Sequence, residues 1–141
     1  MIEINNDNKE KINSALLVSL GTFVLSKYDL SSSLVSVAFV SGERMKSLNY
    51  SYRDLNKETD VLSFCSSKEE KNKENFLGEV VLNYSQIKRQ AKELNNSFEH
   101  ELAFIYIHGL LHLLGYSDER EGDRVKMIEL GNRILLEFER L

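Results

Sequence analysis

Residues 102–114 form an almost wholly apolar segment, interrupted by His108 and His112. A helix made from these residues is apolar on every side, so it has to lie inside the protein. The segment is shorter than the roughly 18 residues that a membrane span requires, and the acidic Glu99 and Glu101 stand beside it. We therefore expect a fold built around a central buried helix, with no membrane-spanning segment.

The two histidines have the spacing of a metal-binding pair. Residues four apart in a helix are about 6 Å apart along the axis and share a face, so both imidazoles can reach one ion. Gly115 is a predicted C-cap, because glycine adopts the left-handed conformation at little cost. The chain can then turn back and bring Asp118 to the ion as a third ligand. Three protein ligands and an open position are typical of a catalytic metal site.

Other interpretations of these residues stay open at this point. Two histidines on an apolar helix can also be core residues that hydrogen-bond to carbonyl groups. If Asp118 turns away, the third ligand has to come from Glu119, Glu121 or His100. The zinc-protease pattern places a glutamate base after the first histidine, but this chain has Gly109 there, which disfavours metallopeptidase chemistry.

Composition indicates one globular domain, residues 1–141, with 42% hydrophobic and 28% charged residues. The single cysteine, Cys65, excludes an intramolecular disulfide, and we interpret it as a core residue of an apolar strand. The N-terminal segment shows no basic stretch followed by an apolar one, so we expect no signal peptide and a cytoplasmic protein.

The net charge of −4 is not that of a protein that coats nucleic acid, so any RNA binding has to use a local basic patch. Two segments supply candidates for such a patch. They are Arg44, Lys46, Arg53 and Lys57 in the first and Lys88, Arg89 and Lys92 in the second.

Hydrophobic periodicity predicts an α+β domain with a small mixed four-stranded sheet and about five helices. The predicted strands are residues 2–4, 34–40, 61–65 and 77–82. The first predicted helix covers about residues 9–27. A short second helix begins at Ser41 and Gly42 and delivers Arg53 to a loop. A third has its apolar face at 84–94, the buried histidine helix is the fourth, and the last covers about 127–141. Residues 66–75, rich in lysine and glutamate, are predicted to form a connection beside the sheet. Asp60 and Glu79 stand near strand ends, where we interpret them as structural and outside the catalytic set.

Several motifs together resemble the YbeY family of bacterial endoribonucleases. They are Leu48-Asn49, Tyr52-Arg53, Thr59-Asp60-Val61-Leu62-Ser63-Phe64, Leu77-Gly78-Glu79 and His108-Gly109-Leu110-Leu111-His112-Leu113-Leu114-Gly115-Tyr116. Their order and spacing match the family from about Ser33 to Leu141. The resemblance implies a single-strand-specific, metal-dependent endoribonuclease that acts in maturation of the 3′ end of the small-subunit ribosomal RNA and in ribosome quality control.

The resemblance also implies particular roles and partners. His108 and His112 take the first two ligand positions for one zinc ion, and Arg53 takes the position of the family's functional arginine. RNA, the small ribosomal subunit, ribosomal proteins and other processing nucleases are the implied partners, and neither DNA nor a membrane is among them.

The chain departs from the family pattern at two positions. Asp118 replaces the third histidine of the motif, and Cys65 replaces a proline that often follows the Ser-Phe strand. A carboxylate in place of an imidazole lowers the charge of the site by one, which weakens the ion as a Lewis acid. It also makes Mn²⁺ a stronger competitor of Zn²⁺.

Two other functions stay open on the sequence. One is a metal-dependent hydrolase of another class, such as a small peptidase. The other is a non-catalytic, ribosome-associated factor in which the metal is structural or absent.

Overall fold

The computed structural model describes residues 1–6, 10–69 and 75–141. Within these residues it has four strands and five helices. They are β1 (Ile2–Asn6), α1 (Ser14–Lys27), β2 (Leu34–Val40), α2 (Gly42–Arg53), β3 (Val61–Cys65), β4 (Phe76–Asn83), α3 (Tyr84–Glu93), α4 (Phe98–Leu113) and α5 (Glu121–Glu139). The predicted α+β architecture, with its small mixed sheet and five helices, is confirmed.

The four strands form one sheet in the order β1-β2-β4-β3. Strands β1, β2 and β4 run parallel, and β3 pairs antiparallel with β4 at one edge. Because side chains alternate along a strand, Val35, Val37 and Phe39 of β2 share one face, and all three are fully buried there. That face carries the main core.

Helix α4 lies at the centre of this core. It contacts α1, α3 and α5 as well as strands β3 and β4. Its side chains at Tyr106, Ile107 and Leu111 have no exposed surface. The helix that the apolar segment predicted is therefore present and buried between the sheet and the other helices.

Helix α2 packs on the opposite face of the sheet. A smaller apolar cluster joins Met45 of α2 to Val40, Leu62 and Val81 of three neighbouring strands. The helix ends at Arg53, after which Asp54 adopts a left-handed conformation with φ of 57°. This turn sends the chain toward the start of β3.

Strand β4 contains an irregularity at Gly78. Its pairing with β2 skips Leu77, as in a β-bulge. Gly78 has φ of +146°, and a Cβ atom there would lie 2.3 Å from the carbonyl oxygen of Phe64. Glycine is therefore required at the second position of the family-like Leu-Gly-Glu motif.

The first helix starts later than its hydrophobic periodicity predicts. The first helix begins at Ser14, not near residue 9, because the Asn13 side chain accepts a hydrogen bond from the Leu16 amide at 3.1 Å and caps the helix. Ile12, which fits the helical periodicity, precedes the cap. Residue 9 itself lies outside the described residues, as do residues 70–74 of the predicted 66–75 connection.

No helix in the described parts of the chain is long and apolar enough to cross a membrane.

Candidate metal centre

Helix α4 has well-formed ends that fix the positions of its histidines. At its start, the Ser97 hydroxyl accepts a hydrogen bond from the His100 amide at 3.1 Å, and acidic Glu99 and Glu101 lie in the positive first turn. At its end, the Gly115 amide donates to the His112 carbonyl and the Tyr116 amide donates to the Leu111 carbonyl, both at 3.1 Å.

This pair of hydrogen bonds is a Schellman motif, and Gly115 supplies its left-handed residue with φ of 100°. The predicted glycine stop is present. It reverses the chain directly after His112, so that Asp118 returns to the helix within six residues.

Three donor atoms converge beside the last two turns of α4. The Nε2 atoms of His108 and His112 are 3.2 Å apart. Asp118 Oδ2 lies 3.2 Å from His108 Nε2 and 3.3 Å from His112 Nε2. The three atoms thus form a nearly equilateral triangle, with side chains that are between 20% and 35% exposed.

The size of this triangle fits one face of a tetrahedral metal site. Ligand atoms at 2.0–2.1 Å from a tetrahedral ion are roughly 3.3 Å from one another. Two imidazole nitrogens and one carboxylate oxygen are donors that would suit Zn²⁺, and all three residues line the neighbouring cleft. Hydrogen bonding alone explains the triangle less well, because if both Nε2 atoms donate to Asp118, no proton is placed between the two Nε2 atoms at 3.2 Å.

His108, His112 and Asp118 form a triad, and the two histidines determine the ionisation of Asp118. Partial burial disfavours the charged carboxylate, but attraction to His112 and hydrogen bonding to His108 outweigh it, so the pKa of Asp118 lies below its ordinary value. The third donor is therefore a carboxylate anion at neutral pH, which is the form that binds a metal ion.

Strand β3 holds the histidine-bearing helix against the sheet. The Ser63 hydroxyl donates to the carbonyl of Gly109 at 2.8 Å, and the Cys65 thiol approaches the carbonyl of His112 at 3.9 Å. A Cβ atom at Gly109 would lie 2.8 Å from Val80 Cγ1 and 3.0 Å from Val61 Cγ2. Gly109 faces the sheet at close range, so a glutamate base cannot occupy this position in the fold.

Cys65 itself is exposed, so its interpretation as a core residue is wrong. It is the last residue of β3, an edge strand that is paired on one side only, which leaves the thiol accessible.

A cleft of about 540 Å³ opens beside the triad. It is lined by the three triad residues, by Arg53 from the end of α2, by Asp60 to Ser63 at the start of β3, and by Arg124 and Ile128 of α5. The structure thus brings Arg53 into the same cleft as His108, His112 and Asp118, as the family resemblance implies. The role of each residue stays a prediction.

The remaining candidate ligands and basic residues lie outside the donor cluster. Glu119 lines the cleft, but neither it, Glu121 nor His100 joins the group of possible ligands, which in the described residues consists of His108, His112 and Asp118. Of the two basic segments, Arg53 alone reaches the cleft, and Arg89 instead pairs with Glu58 at 3.4 Å.

Asp60 occupies a wall of the cleft and is held in place. Its Oδ2 atom accepts a hydrogen bond from Gln90 Nε2 at 3.2 Å, and the same nitrogen contacts Glu101 Oε2 at 3.3 Å. Glu101 is 3% exposed and belongs to the histidine helix. Glu79 does not line this cleft, and its carboxylate accepts from the Ser36 hydroxyl at 3.1 Å.

Sequence reasoning missed Arg124. It follows Asp118 by six residues and precedes Ile128 by one helical turn, but no motif or basic segment contains it. The one available signal was the i, i+4 spacing of Arg124 and Ile128, which share a face of α5.

Comparison with known proteins shows the family of the chain. A family model described as Endoribonuclease YbeY matches residues 2–139. The Endoribonuclease YbeY of Thermodesulfovibrio yellowstonii is 44% identical over 103 residues, which make up 72% of this chain and 65% of that protein. The Endoribonuclease YbeY of Phytoplasma australiense is 38% identical over 136 residues, 95% of this chain and 92% of that protein. A solution structure from Thermotoga maritima has 32% sequence identity and a TM-score of 0.57, with 93% of this chain and 89% of that chain covered.

Proposed function

The chain belongs to the YbeY family of endoribonucleases, and on that basis we propose that it cleaves single-stranded RNA with a bound metal ion during ribosomal RNA maturation and ribosome quality control. The proposed substrate region is the 3′ end of the small-subunit ribosomal RNA. The proposed ligands are His108, His112 and Asp118, and Arg53 is the proposed catalytic arginine.

The single observation that carries the proposal is the triangle of donor atoms at the edge of a cleft that also holds an arginine. A divalent ion bound there supplies Lewis-acid activation of a phosphodiester and of water. His108, His112 and Asp118 would hold the ion, and the substrate would reach it through the cleft that these residues line.

Arg53 has the chemistry needed to orient the phosphate. Its planar guanidinium can donate two parallel hydrogen bonds to phosphate oxygens. Among the described residues its side chain has no hydrogen bond or ion pair, and it is exposed at the end of α2. Its charge in the last turn of α2 favours the helix dipole, and this weak interaction leaves the guanidinium donors available to a ligand.

We propose zinc as the metal, with manganese as its strongest competitor. Two imidazole nitrogens favour zinc, whereas the carboxylate of Asp118 suits both ions. We further propose a cytoplasmic protein whose residues 1–141 form one domain and that works together with the small ribosomal subunit, its proteins and other processing nucleases.

The alternative functions are not favoured. A peptidase of the usual zinc type needs a base where Gly109 packs against Val80 and Val61. A non-catalytic factor does not explain why an arginine and a three-donor cluster line one cleft.

One experiment tests the function and its ligands together. Metal content and cleavage of a labelled single-stranded RNA are measured on untagged wild type, on His112→Ala, and on His100→Ala as a matched control. His100 is the third histidine of the chain and lies outside the donor cluster. We expect about one equivalent of zinc and RNA cleavage in wild type and His100→Ala, with both lost in His112→Ala.

Two further variants separate the alternatives. Arg53→Lys is expected to retain the metal and lose most cleavage, because lysine cannot form the bidentate contact, while Arg44→Lys at the start of the same helix stays active. Ribosome association together with no cleavage by the zinc-loaded wild type would favour the non-catalytic factor. Digestion of casein by the wild type would favour the peptidase.

A further inference from the structure

We propose that Arg124 is a second phosphate-binding residue of the cleft, which holds a backbone phosphate of the RNA other than the one engaged by Arg53. The inference rests on the proposed ribonuclease function and defines more closely how the substrate is held. It concerns a residue that belongs to no recognised motif of the chain.

The first support is the position of Arg124. It lies in the first turn of α5, and its backbone amide donates to the Arg120 carbonyl at 2.9 Å, so the start of the helix fixes where it stands. One turn later, Ile128 lines the same cleft. Residues four apart share a helix face, so α5 presents this face toward His108, His112 and Asp118.

The second support is that α5 gains nothing from an arginine at this position. A cation near the N-terminal end of a helix opposes the helix dipole. Glu121 precedes Arg124 by three residues, a spacing that permits an ion pair, yet the described residues contain no ion pair or side-chain hydrogen bond of Arg124. The side chain is exposed. Its charge is available to a ligand.

The third support is the charge balance of the cleft. Its lining holds three carboxylates: Asp118 contacts the histidines, Asp60 accepts a hydrogen bond from Gln90, and Glu119 is the third, and none of these hydrogen bonds cancels a carboxylate's charge. The two arginines, Arg53 and Arg124, have no such partners in the described structure. The lining thus has one more carboxylate than arginine, and a divalent ion held by the three donors would make its net charge positive, with both guanidinium groups free to meet an anionic ligand.

A ligand with several anionic groups can engage both arginines, one from the end of α2 and one from the start of α5. A single-stranded RNA backbone is such a ligand, with its successive phosphates. Contacts to backbone phosphates position a strand without reading its base sequence. Arg124 is therefore expected to act equally on all sequences.

The test compares Arg124→Ala with Arg120→Ala. Arg120 is also exposed and lies four residues earlier, but it does not line the cleft. Zinc-loaded proteins are titrated with a labelled single-stranded RNA that carries phosphorothioate linkages, which keep the backbone charge and resist cleavage. Binding is read by fluorescence anisotropy at several salt concentrations, and cleavage of ordinary single-stranded RNA is measured in parallel.

We expect Arg124→Ala to weaken binding roughly three- to tenfold and to reduce the slope of log K against log salt by about 0.7, the value for one phosphate of a single strand. Metal content is expected to stay that of wild type, and the melting temperature is expected to be equal or slightly higher, because the substitution removes a cation that opposes the helix dipole. Arg120→Ala should bind with the affinity and salt slope of wild type, and Arg124→Lys should recover most of the salt slope.

The outcomes separate this inference from the proposed function. If wild type binds and cleaves RNA while Arg124→Ala and Arg120→Ala behave alike, Arg124 is not a phosphate contact and the ribonuclease function stands. A zinc-loaded wild type that neither binds nor cleaves RNA overturns the proposed function and this inference with it.

Discussion

At the scale of single residues, Asp118 determines the charge of the metal centre. Its carboxylate stands where the family pattern has an imidazole, and it contacts both histidine Nε2 atoms at 3.2 and 3.3 Å. The proposed third donor is therefore a carboxylate oxygen in place of an imidazole nitrogen. A carboxylate reduces the net positive charge of the loaded site by one and widens the range of ions that it accepts.

Asp118→His is expected to shift metal preference toward zinc. The imidazole restores a three-histidine site, which favours Zn²⁺ over Mn²⁺ because manganese prefers carboxylate ligands. The measurement is a competition titration of both ions against wild type, Asp118→His and Asp118→Ala. Asp118→Ala should lose affinity for both ions, and an unchanged zinc-to-manganese ratio in Asp118→His would show that the third donor does not set selectivity.

At the scale of elements, the contact between α4 and the sheet controls where the histidines stand. Gly109 lets the helix backbone approach β3 and β4, and the Ser63 hydroxyl donates to its carbonyl at 2.8 Å. His108 directly precedes this glycine. Any displacement of α4 from the sheet therefore also moves a proposed metal ligand.

Gly109→Ala is expected to destabilise the protein by about 1–3 kcal/mol, because the new methyl group would overlap Val80 and Val61. Urea unfolding gives the free energy of unfolding. The matched control is Gly122→Ala in the first turn of α5, where a Cβ atom has no neighbour within 4 Å, and it should be neutral or stabilising. Equal effects of the two substitutions would contradict the close approach at Gly109.

Sequence predicted those parts of the site that depend on neighbours along the chain. The spacing of His108 and His112 and the glycine stop at Gly115 follow from helix geometry, which is local. The position of Arg124 in the same cleft as Arg53 depends on how α5 packs on α4 and how α2 packs on the sheet, and no local pattern encodes that arrangement. The start of the first helix was placed too early for a related reason, since periodicity at Ile12 does not reveal the cap at Asn13.

At the scale of the whole molecule, a buried phenol couples the stability of the fold to alkaline pH. Tyr106 has no exposed surface, and its hydroxyl donates to the Leu17 carbonyl of α1 at 3.1 Å. Burial raises the pKa of Tyr106 above the ordinary tyrosine value of 10.0. The neutral phenol is therefore favoured in the folded state.

The raised pKa of Tyr106 predicts how the stability of the fold depends on pH. The stability that depends on a neutral Tyr106 is fully present below about pH 10 and is lost as the pH rises from there toward the higher pKa of the folded state. Tyr28 adds to the loss, because partial burial and a hydrogen bond to Tyr116 raise its pKa to about 12. Melting temperatures from pH 8 to pH 11 should fall less steeply for Tyr106→Phe than for wild type. Tyr50→Phe, at an exposed position, should keep the wild-type slope.

The Schellman turn after α4 has a consequence for the kinetics of metal exchange. Two donors stand on a buried helix, whereas the third stands on residues 115–120, where every residue except Asp118 is exposed. An ion can leave after this short segment swings outward, without disruption of the core. Release of an ion held by these three donors would need only a local opening of this segment and not global unfolding, so exchange of the ion would be decoupled from the stability of the fold.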